Sequence, residues 1–107
     1  MVGPMSKVTI IAKLTIAEGT TDAFEAALAA LVTAADEEDG LELYSAHVVD
    51  AEPSVYYFFE VYRDADAFAV HGKTDGMRSA MRALGPFLAG APEIIHMTPV
   101  AAKGLDI

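Results

Sequence analysis

The segment Val55–Arg63, VYYFFEVYR, constrains the fold of this chain more than any other part of its 107 residues. It is rich in aromatic and β-branched residues, which favour a β-strand. Side chains alternate between the two faces of a strand, and both of the resulting rows are largely apolar. The rows are Tyr56, Phe58, Glu60 and Tyr62 on one face, and Val55, Tyr57, Phe59, Val61 and Arg63 on the other. Both faces of this strand therefore need a cover, and the pattern leaves open which row the helices cover.

Hydrophobic periodicity and capping residues predict the other elements of secondary structure. The predicted strands are Lys7–Ile16, Leu41–Asp50 and Pro92–Val100, and a turn over residues 51–54 joins the second to the aromatic strand as a hairpin. The predicted helices run from a cap at Thr20 or Thr21 to Ala35, from a cap at Asp64 to His71, and from a cap at Thr74 to Leu84. Gly40, Gly72 and Gly85 follow the ends of these helices.

The resulting order, βαββαβ with the last helical region split in two, is typical of a ferredoxin-like α+β fold. Such a fold has a four-stranded antiparallel sheet with helices on one face. The other face still carries an apolar row, and its simplest cover is the same sheet of a second copy, so we expect a homodimer. We expect residues 7–103 to form this domain, residues 1–6 to be a leader or an expression remnant, and residues 104–107 to be a tail.

Composition restricts the partners of the chain. Seven Lys and Arg residues oppose sixteen Asp and Glu residues, for a net charge of −9. This charge disfavours binding to nucleic acid and to an anionic membrane surface. The sequence contains no cysteine, which excludes disulfides, a thiol nucleophile and iron–sulfur clusters. We expect a cytoplasmic protein, since the lack of cysteine is compatible with a reducing compartment.

One continuous segment, FFEVYRDADAFAVH, is a strand that leads into a helix ending in His71. It resembles the most diagnostic part of the antibiotic biosynthesis monooxygenase family, and the resemblance extends from Lys7 to Lys103. Other matching positions are Val8–Leu14, Glu18, Gly19, Phe24, Gly40, Leu41, Tyr44, Pro86, Pro92, Pro99 and Val100. The resemblance implies a dimeric α+β barrel with a small hydrophobic pocket between sheet and helices. It also implies oxidation of phenols, hydroquinones or polyketide-like aromatics by molecular oxygen as co-substrate, with no flavin, haem or metal cofactor.

The chain departs from the family pattern in two ways. The family often has tryptophan where Tyr62 stands, and this sequence contains neither tryptophan nor asparagine. Because the haem-degrading relatives rely on an Asn, Trp and His set, haem degradation is disfavoured. Other relatives include a sugar-phosphate isomerase and proteins with no known activity. The alternatives to a monooxygenase are therefore a small-molecule isomerase, a non-catalytic small-molecule binder and a purely structural dimerisation module.

His71 is the first candidate for a catalytic residue. Oxygenation without a cofactor needs an electron-rich substrate anion, and a histidine can take the phenolic proton near neutral pH. The alternative is that His71 merely lies at a helix C-terminus, where an imidazolium is favoured. Glu60 is the second candidate, because a carboxylate among apolar residues is costly to bury without a partner. It either orients His71 or contacts a substrate hydroxyl, or it is structural and holds a helix start or Arg63.

A further set of residues is predicted to line a substrate pocket. Aromatic side chains can position a phenolic ring, and methionines suit a malleable wall, although both residue types are often ordinary core. The predicted substrate-binding residues are Tyr44, Tyr56, Tyr62, Met77, Met81 and Phe87. His47 and His96 have no metal-ligand spacing with each other or with His71, so we predict no metal site. We interpret the acidic run Asp36–Asp39 as a solvated helix end.

Overall fold

The protein is described by a computed structural model that covers residues 6–107. Its elements confirm the predicted order. They are β1 (Val8–Thr15), α1 (Thr21–Ala35), β2 (Leu41–Val49), β3 (Glu52–Tyr62), α2 (Ala65–Ala69), α3 (Asp75–Leu84), a single 3-10 turn (Gly85–Phe87) and β4 (Glu93–Met97). The predicted leader spans residues 1–6. All of these except Ser6 lie outside the described residues. No helix of the described chain is long and apolar enough to cross a membrane.

The four strands form one antiparallel sheet in the order β2-β3-β1-β4. This confirms the ferredoxin-like α+β class. The predicted turn over residues 51–54 is wrong, because β3 begins at Glu52, which pairs with Val49. An irregularity in the register between Val48 and Val49 lets the strands pair this close to the turn. Ser54 also pairs across the sheet, since its carbonyl accepts a hydrogen bond from the Ile16 amide at 2.9 Å.

The helices cover the face of β3 that carries Glu60, which settles the question that the sequence leaves open. Tyr56, Phe58 and Tyr62 are buried on this inner face, with relative exposures of 2%, 3% and 0%. Because β1 pairs with β3, the side chains of β1 that face the helices lie beside them. The core that results contains Ile10, Ala12 and Leu14 from β1, Ile16 directly after it, Phe24 and Leu31 from α1, and Met77, Ala80 and Leu84 from α3.

Two of the three predicted helix caps are present. The Asp64 carboxylate accepts a hydrogen bond from the Ala67 amide at 2.8 Å, and the Thr74 hydroxyl accepts one from the Met77 amide at 3.1 Å. The prediction for α1 is wrong. Thr20 precedes the helix but its side chain caps no amide, and its hydroxyl instead donates to the Ala17 carbonyl at 2.6 Å.

The outer face of the sheet carries no helix and exposes large apolar side chains. Phe59 is 39% exposed, and its neighbours across the strands on this face include Ile11 and Ile95, of which Ile95 is 56% exposed. Leu43 and Met97 extend the same surface and are also exposed. A contiguous apolar surface of this kind on a small domain is typical of an interface.

We therefore propose that two copies pack through this outer face, and we expect the wild-type protein to sediment as a dimer. Phe59→Glu places a charge in the centre of the proposed interface and should convert the dimer to a folded monomer, because a charge buried without a partner is costly. Val32→Glu, at an exposed apolar position of α1, is the matched control and should remain dimeric. Sedimentation equilibrium of the three proteins checks this, and a monomeric wild type would contradict it.

Candidate active site

A cavity of about 350 Å³ lies between the inner face of the sheet and the helices. Its wall is mostly apolar, and it is interrupted by three polar side chains that come from three different elements or turns. These are Tyr44 of β2, Glu60 of β3 and His71 of the turn after α2. The apolar wall consists of Ile10, Ala12, Leu14, Leu31, Phe58, Phe68, Met81, Leu84, Leu88, Pro92 and Ile94. No lysine or arginine is among these lining residues, within the part of the chain described.

His71 is held in place by a hydrogen bond to a buried carboxylate. Its Nδ1 lies 2.9 Å from Oε1 of Glu38, a residue that is only 7% exposed. Because an ionised carboxylate only accepts hydrogen bonds, we assign the proton of this contact to Nδ1. The neutral imidazole then carries its lone pair on Nε2. The arrangement therefore leaves Nε2 as the basic nitrogen of a residue that lines the cavity.

The interpretation of the run Asp36–Asp39 as a solvated helix end is wrong for Glu38. Asp36, Glu37 and Asp39 are exposed, whereas Glu38 turns inward after the last residue of α1. Its backbone is fixed on both sides, since its amide donates to the Ala35 carbonyl at 3.0 Å and its carbonyl accepts from the Leu41 amide at 2.9 Å. Four acidic residues in a row carry no signal that marks the buried one. Glu38 therefore has the orienting role that the sequence predicted for Glu60.

A glycine on each side of this contact allows the two turns to meet. Gly72 has a φ of +78°, which ends the turn after α2, and its amide approaches Oε2 of Glu38 at 3.4 Å. Gly40 packs so closely against α2 that a Cβ there would lie 2.3 Å from the Cβ of Ala67. The turn that carries Glu38 is thereby pressed against the helix that precedes His71.

Glu60 lies on the other side of the His71 ring. Its Oε1 is 3.9 Å from Nε2 of His71 and accepts a hydrogen bond from the Tyr62 hydroxyl at 2.6 Å. Glu60 is only 6% exposed, and burial raises the pKa of its carboxyl, while the Tyr62 hydrogen bond and the nearby His71 oppose that rise. Burial and the Glu60 contact also raise the pKa of Tyr62, which keeps its hydroxyl a donor. Glu60 and Tyr62 meet because residues two apart on a strand share a face.

Tyr44 completes the polar end of the cavity. It pairs with Glu60 across the β2–β3 register, and its ring centroid lies 6.0 Å from that of His71. Burial, followed by the charges of Glu60 and Glu38, raises the pKa of the Tyr44 hydroxyl. The hydroxyl therefore stays protonated and is available as a hydrogen-bond donor to an oxygen of a bound molecule.

The structure brings only some of the predicted substrate-binding residues to the cavity. Tyr44 and Met81 line it, and the Tyr62 ring lies 5.2 Å from the His71 ring, behind the lining residues. Tyr56, Met77 and Phe87 do not line it. They belong to the hydrophobic core around Phe24. The ring centroids of Tyr56 and Phe87 lie 4.7 Å and 6.5 Å from that of Phe24, and Met77 is fully buried.

The Tyr56 hydroxyl reaches the edge of this core and donates a hydrogen bond to Glu25. Burial, together with the Glu25 contact, raises the pKa of Tyr56 to about 12. Tyr56 stands four residues before Glu60 on β3, which at about 3.3 Å per residue places it well away from His71. Its role is therefore to anchor α1 to the sheet.

Neither of the two remaining histidines lines the cavity. His47 is on the outer face, where its Nε2 is 2.9 Å from the Ser45 hydroxyl and its ring meets Phe59 edge to face. His96 of β4 meets Phe68 edge to face, with ring centroids 5.1 Å apart. Among residues 6–107, no group of three or more His, Cys, Asp or Glu side chains is arranged to hold a metal ion.

Comparison with known proteins gives a family and several similar structures. The family model described as antibiotic biosynthesis monooxygenase matches residues 7–83. A candidate antibiotic biosynthesis monooxygenase from Caulobacter crescentus is 29% identical, with a TM-score of 0.84 over 92% of this chain and 93% of its own. A protein from Pseudomonas aeruginosa is 27% identical, with a TM-score of 0.80 over 94% of this chain and 100% of its own.

A second candidate antibiotic biosynthesis monooxygenase, from Nitrosomonas europaea, has a TM-score of 0.86 over 97% of this chain and all of its own length. It is only 14% identical, so it is similar in fold alone. A search of curated proteins finds no significant match to this chain.

The Glu38 hydrogen bond predicts the tautomer of the His71 ring. In the neutral state, ¹⁵N NMR of the wild-type protein should show the proton of His71 on Nδ1. Glu38→Ala removes the acceptor, so the spectrum should move toward the mixture of tautomers seen for an unconstrained histidine. Glu37→Ala, one residue away and exposed, is the matched control and should keep the wild-type spectrum. An Nε2-protonated ring in the wild type would contradict the assignment.

The contact between Gly40 and Ala67 predicts a paired mutational effect. Gly40→Ala should destabilise the protein by about 1–3 kcal/mol, because the new methyl group overlaps Ala67. Ala67→Gly removes the opposing methyl group at a cost of about 1 kcal/mol in helix propensity. In the double variant the two costs should therefore not add, and urea unfolding in a double-mutant cycle measures the coupling. Additive losses would show that this contact does not fix the distance between the turn and α2.

Proposed function

The chain belongs to the antibiotic biosynthesis monooxygenase family, and from this premise we propose that it is a cofactor-independent monooxygenase. Its substrate is a small, neutral phenol, hydroquinone or polyketide-like aromatic, and molecular oxygen is the co-substrate. The single observation that carries the proposal is the His71 ring, whose Nδ1 lies 2.9 Å from Glu38 and which lines the polar end of an apolar cavity. Homodimerisation through the outer face of the sheet and a cytoplasmic location are parts of the same proposal.

The first step of the proposed reaction is removal of the phenolic proton by His71. A phenol bound with its hydroxyl toward His71 gives its proton to Nε2, and the carboxylate of Glu38 stabilises the imidazolium that forms. The Tyr44 hydroxyl donates a hydrogen bond to the phenolate oxygen. The apolar wall excludes water, which strengthens these interactions.

The phenolate then supplies all the electrons that oxygen needs. It passes one electron to oxygen, and the two radicals combine to form a carbon–oxygen bond at the ring carbon opposite the phenolate oxygen. For a phenol with hydrogen at that carbon, the imidazolium of His71 first protonates the outer oxygen of the peroxide. The neutral imidazole then takes the hydrogen of that carbon as a proton, the electrons of the C–H bond form the second carbonyl, and the oxygen–oxygen bond breaks. The departing hydroxide takes the proton from His71 and leaves as water. One phenol and one oxygen molecule thus give one para-quinone and one water. No external reductant is required.

The lining of the cavity supports an uncharged aromatic substrate. Phe58 and Phe68 offer aromatic contacts for a ring, and Leu31, Leu84 and Leu88 add aliphatic surface. The carboxyl groups of Glu38 and Glu60 lie at the polar end, and no lysine or arginine lines the cavity among the described residues. This arrangement disfavours a phosphorylated or carboxylated ligand. A sugar-phosphate isomerase therefore gains no support from this site.

Oxygen consumption tests the proposal. Wild-type protein should raise oxygen uptake above the autoxidation rate for at least one member of a panel of naphthols and hydroquinones. His71→Ala should lower kcat by about 100-fold or more, the scale of general base catalysis. His47→Ala, on the outer face, is the control and should keep the wild-type rate. Uptake no faster than autoxidation across the panel, or a His71→Ala variant as fast as wild type, would count against a monooxygenase.

A further inference from the structure

The carboxyl group of Glu60 has no necessary part in the proposed oxidation, although it lines the same cavity as His71. A buried titratable group with access to a ligand cavity is a candidate for proton transfer. From its position we infer a second activity that needs no oxygen: the site interconverts the keto and enol forms of a neutral cyclic ketone fused to an aromatic ring. Nε2 of His71 and the carboxyl of Glu60 are the two groups that exchange protons with the substrate.

The spacing of the two groups matches the requirement of an enolisation. The reaction needs a base at the hydrogen on the carbon next to the carbonyl, and an acid at the carbonyl oxygen. In a ketone the α-carbon and the carbonyl oxygen are separated by a single carbon atom. His71 Nε2 and Glu60 Oε1 are 3.9 Å apart, so one bound ketone can reach both without spanning the cavity.

The protonation states suit these roles. The hydrogen bond to Glu38 leaves Nε2 of the neutral ring as a base. Burial raises the pKa of the Glu60 carboxyl, so a larger fraction of Glu60 is protonated near neutral pH than for an exposed glutamate. The charged and titratable groups around this pair are Glu38 on the far side of the imidazole, and the hydroxyls of Tyr62 and Tyr44. The two hydroxyls stay neutral because burial raises their pKa values.

The step balances without an oxidant or a reductant. Nε2 of His71 takes the α-proton, and the electrons of the broken C–H bond form the carbon–carbon double bond. The electrons of the carbonyl π bond take the proton of Glu60 and become the enol O–H bond. His71 is then protonated and Glu60 is ionised, and a proton returns from His71 to Glu60 through the enol hydroxyl or a water molecule between them. The reverse sequence converts an enol to a ketone.

The cavity also limits the class of ketone. Apolar side chains form the rest of the wall and no cationic side chain lines it, among residues 6–107, so a neutral molecule is favoured over a carboxylate or phosphate ester. A volume of about 350 Å³ admits a molecule of one or two fused rings. The ligand class is therefore a small bicyclic ketone fused to an aromatic ring, whose enol form resembles a naphthol.

The inference shares His71 and the cavity with the proposed function but does not depend on oxygen. The two activities can act in sequence, since a substrate that arrives as a ketone must become an enol or phenol before an anion can react with oxygen.

The test is the exchange of hydrogen for deuterium at the benzylic α-carbon of 2-tetralone in D₂O under strict anaerobiosis, followed by proton NMR. Wild-type protein should exchange this position with saturation kinetics, and 2-naphthol, the aromatic analogue of the enol, should inhibit the exchange competitively. Glu60→Gln should lower the exchange rate by at least about 10-fold and His71→Asn by about 100-fold. Glu52→Gln, at the exposed start of β3, is the matched control and should exchange at the wild-type rate.

The outcomes separate this inference from the proposed oxidation. Wild-type exchange no faster than that of the His71→Asn protein would overturn the inference, as would a Glu60→Gln protein that binds 2-naphthol and exchanges as fast as wild type. Should Glu60→Gln fail to fold by circular dichroism, the inhibition measurement on wild-type protein decides, because exchange that persists at saturating 2-naphthol cannot arise in the cavity. Exchange without oxygen uptake on the naphthol panel would support the inference and reject the monooxygenase, and uptake without exchange would do the reverse.

Discussion

The cost of burying carboxylates is the constraint around which this site is organised. Glu38 and Glu60 are both almost inaccessible to solvent, and a carboxylate in such a position needs a partner. Glu38 has the Nδ1 proton of His71 at 2.9 Å, and Glu60 lies 3.9 Å from Nε2, where it would attract the ring once protonated. The Tyr62 hydroxyl adds a second partner for Glu60. The same contacts that make burial tolerable therefore fix the orientation of the ring and leave a basic nitrogen at an apolar cavity.

These groups come from four separate places in the chain. Strand alternation places Glu60 and Tyr62 on the inner face of β3, and the register of β2 places Tyr44 opposite Glu60. The turns after α1 and α2 carry Glu38 and His71, and they meet because Gly40 has no side chain to hold α2 away. No single element contains the site, so its geometry depends on the packing of the two turns against the sheet.

Both proposed activities assign this site one kind of elementary chemistry, namely proton transfer to and from a neutral aromatic or enolisable molecule. Oxygen chemistry and keto–enol exchange both begin with such a transfer, and they differ in what the resulting anion meets next. The apolar wall around Phe58 and Phe68 suits either substrate class. The outer face of the sheet, with Phe59 and Ile95 exposed, is separate from this chemistry and bears on assembly instead.

The sequence by itself determined the element order, the antiparallel hairpin and the pairing of Glu60 with Tyr62 on one face, because these follow from local periodicity. It also singled out His71, through the segment that resembles the family. Only the tertiary structure decided that the Glu60 row faces the helices, since both rows of β3 are apolar and alternation is symmetric between them. Only the structure shows that Glu38 is the buried one of four neighbouring acidic residues. It also shows that Tyr56, Met77 and Phe87 do not line the cavity. Those choices depend on contacts between segments that are distant in the chain, and no local pattern records them.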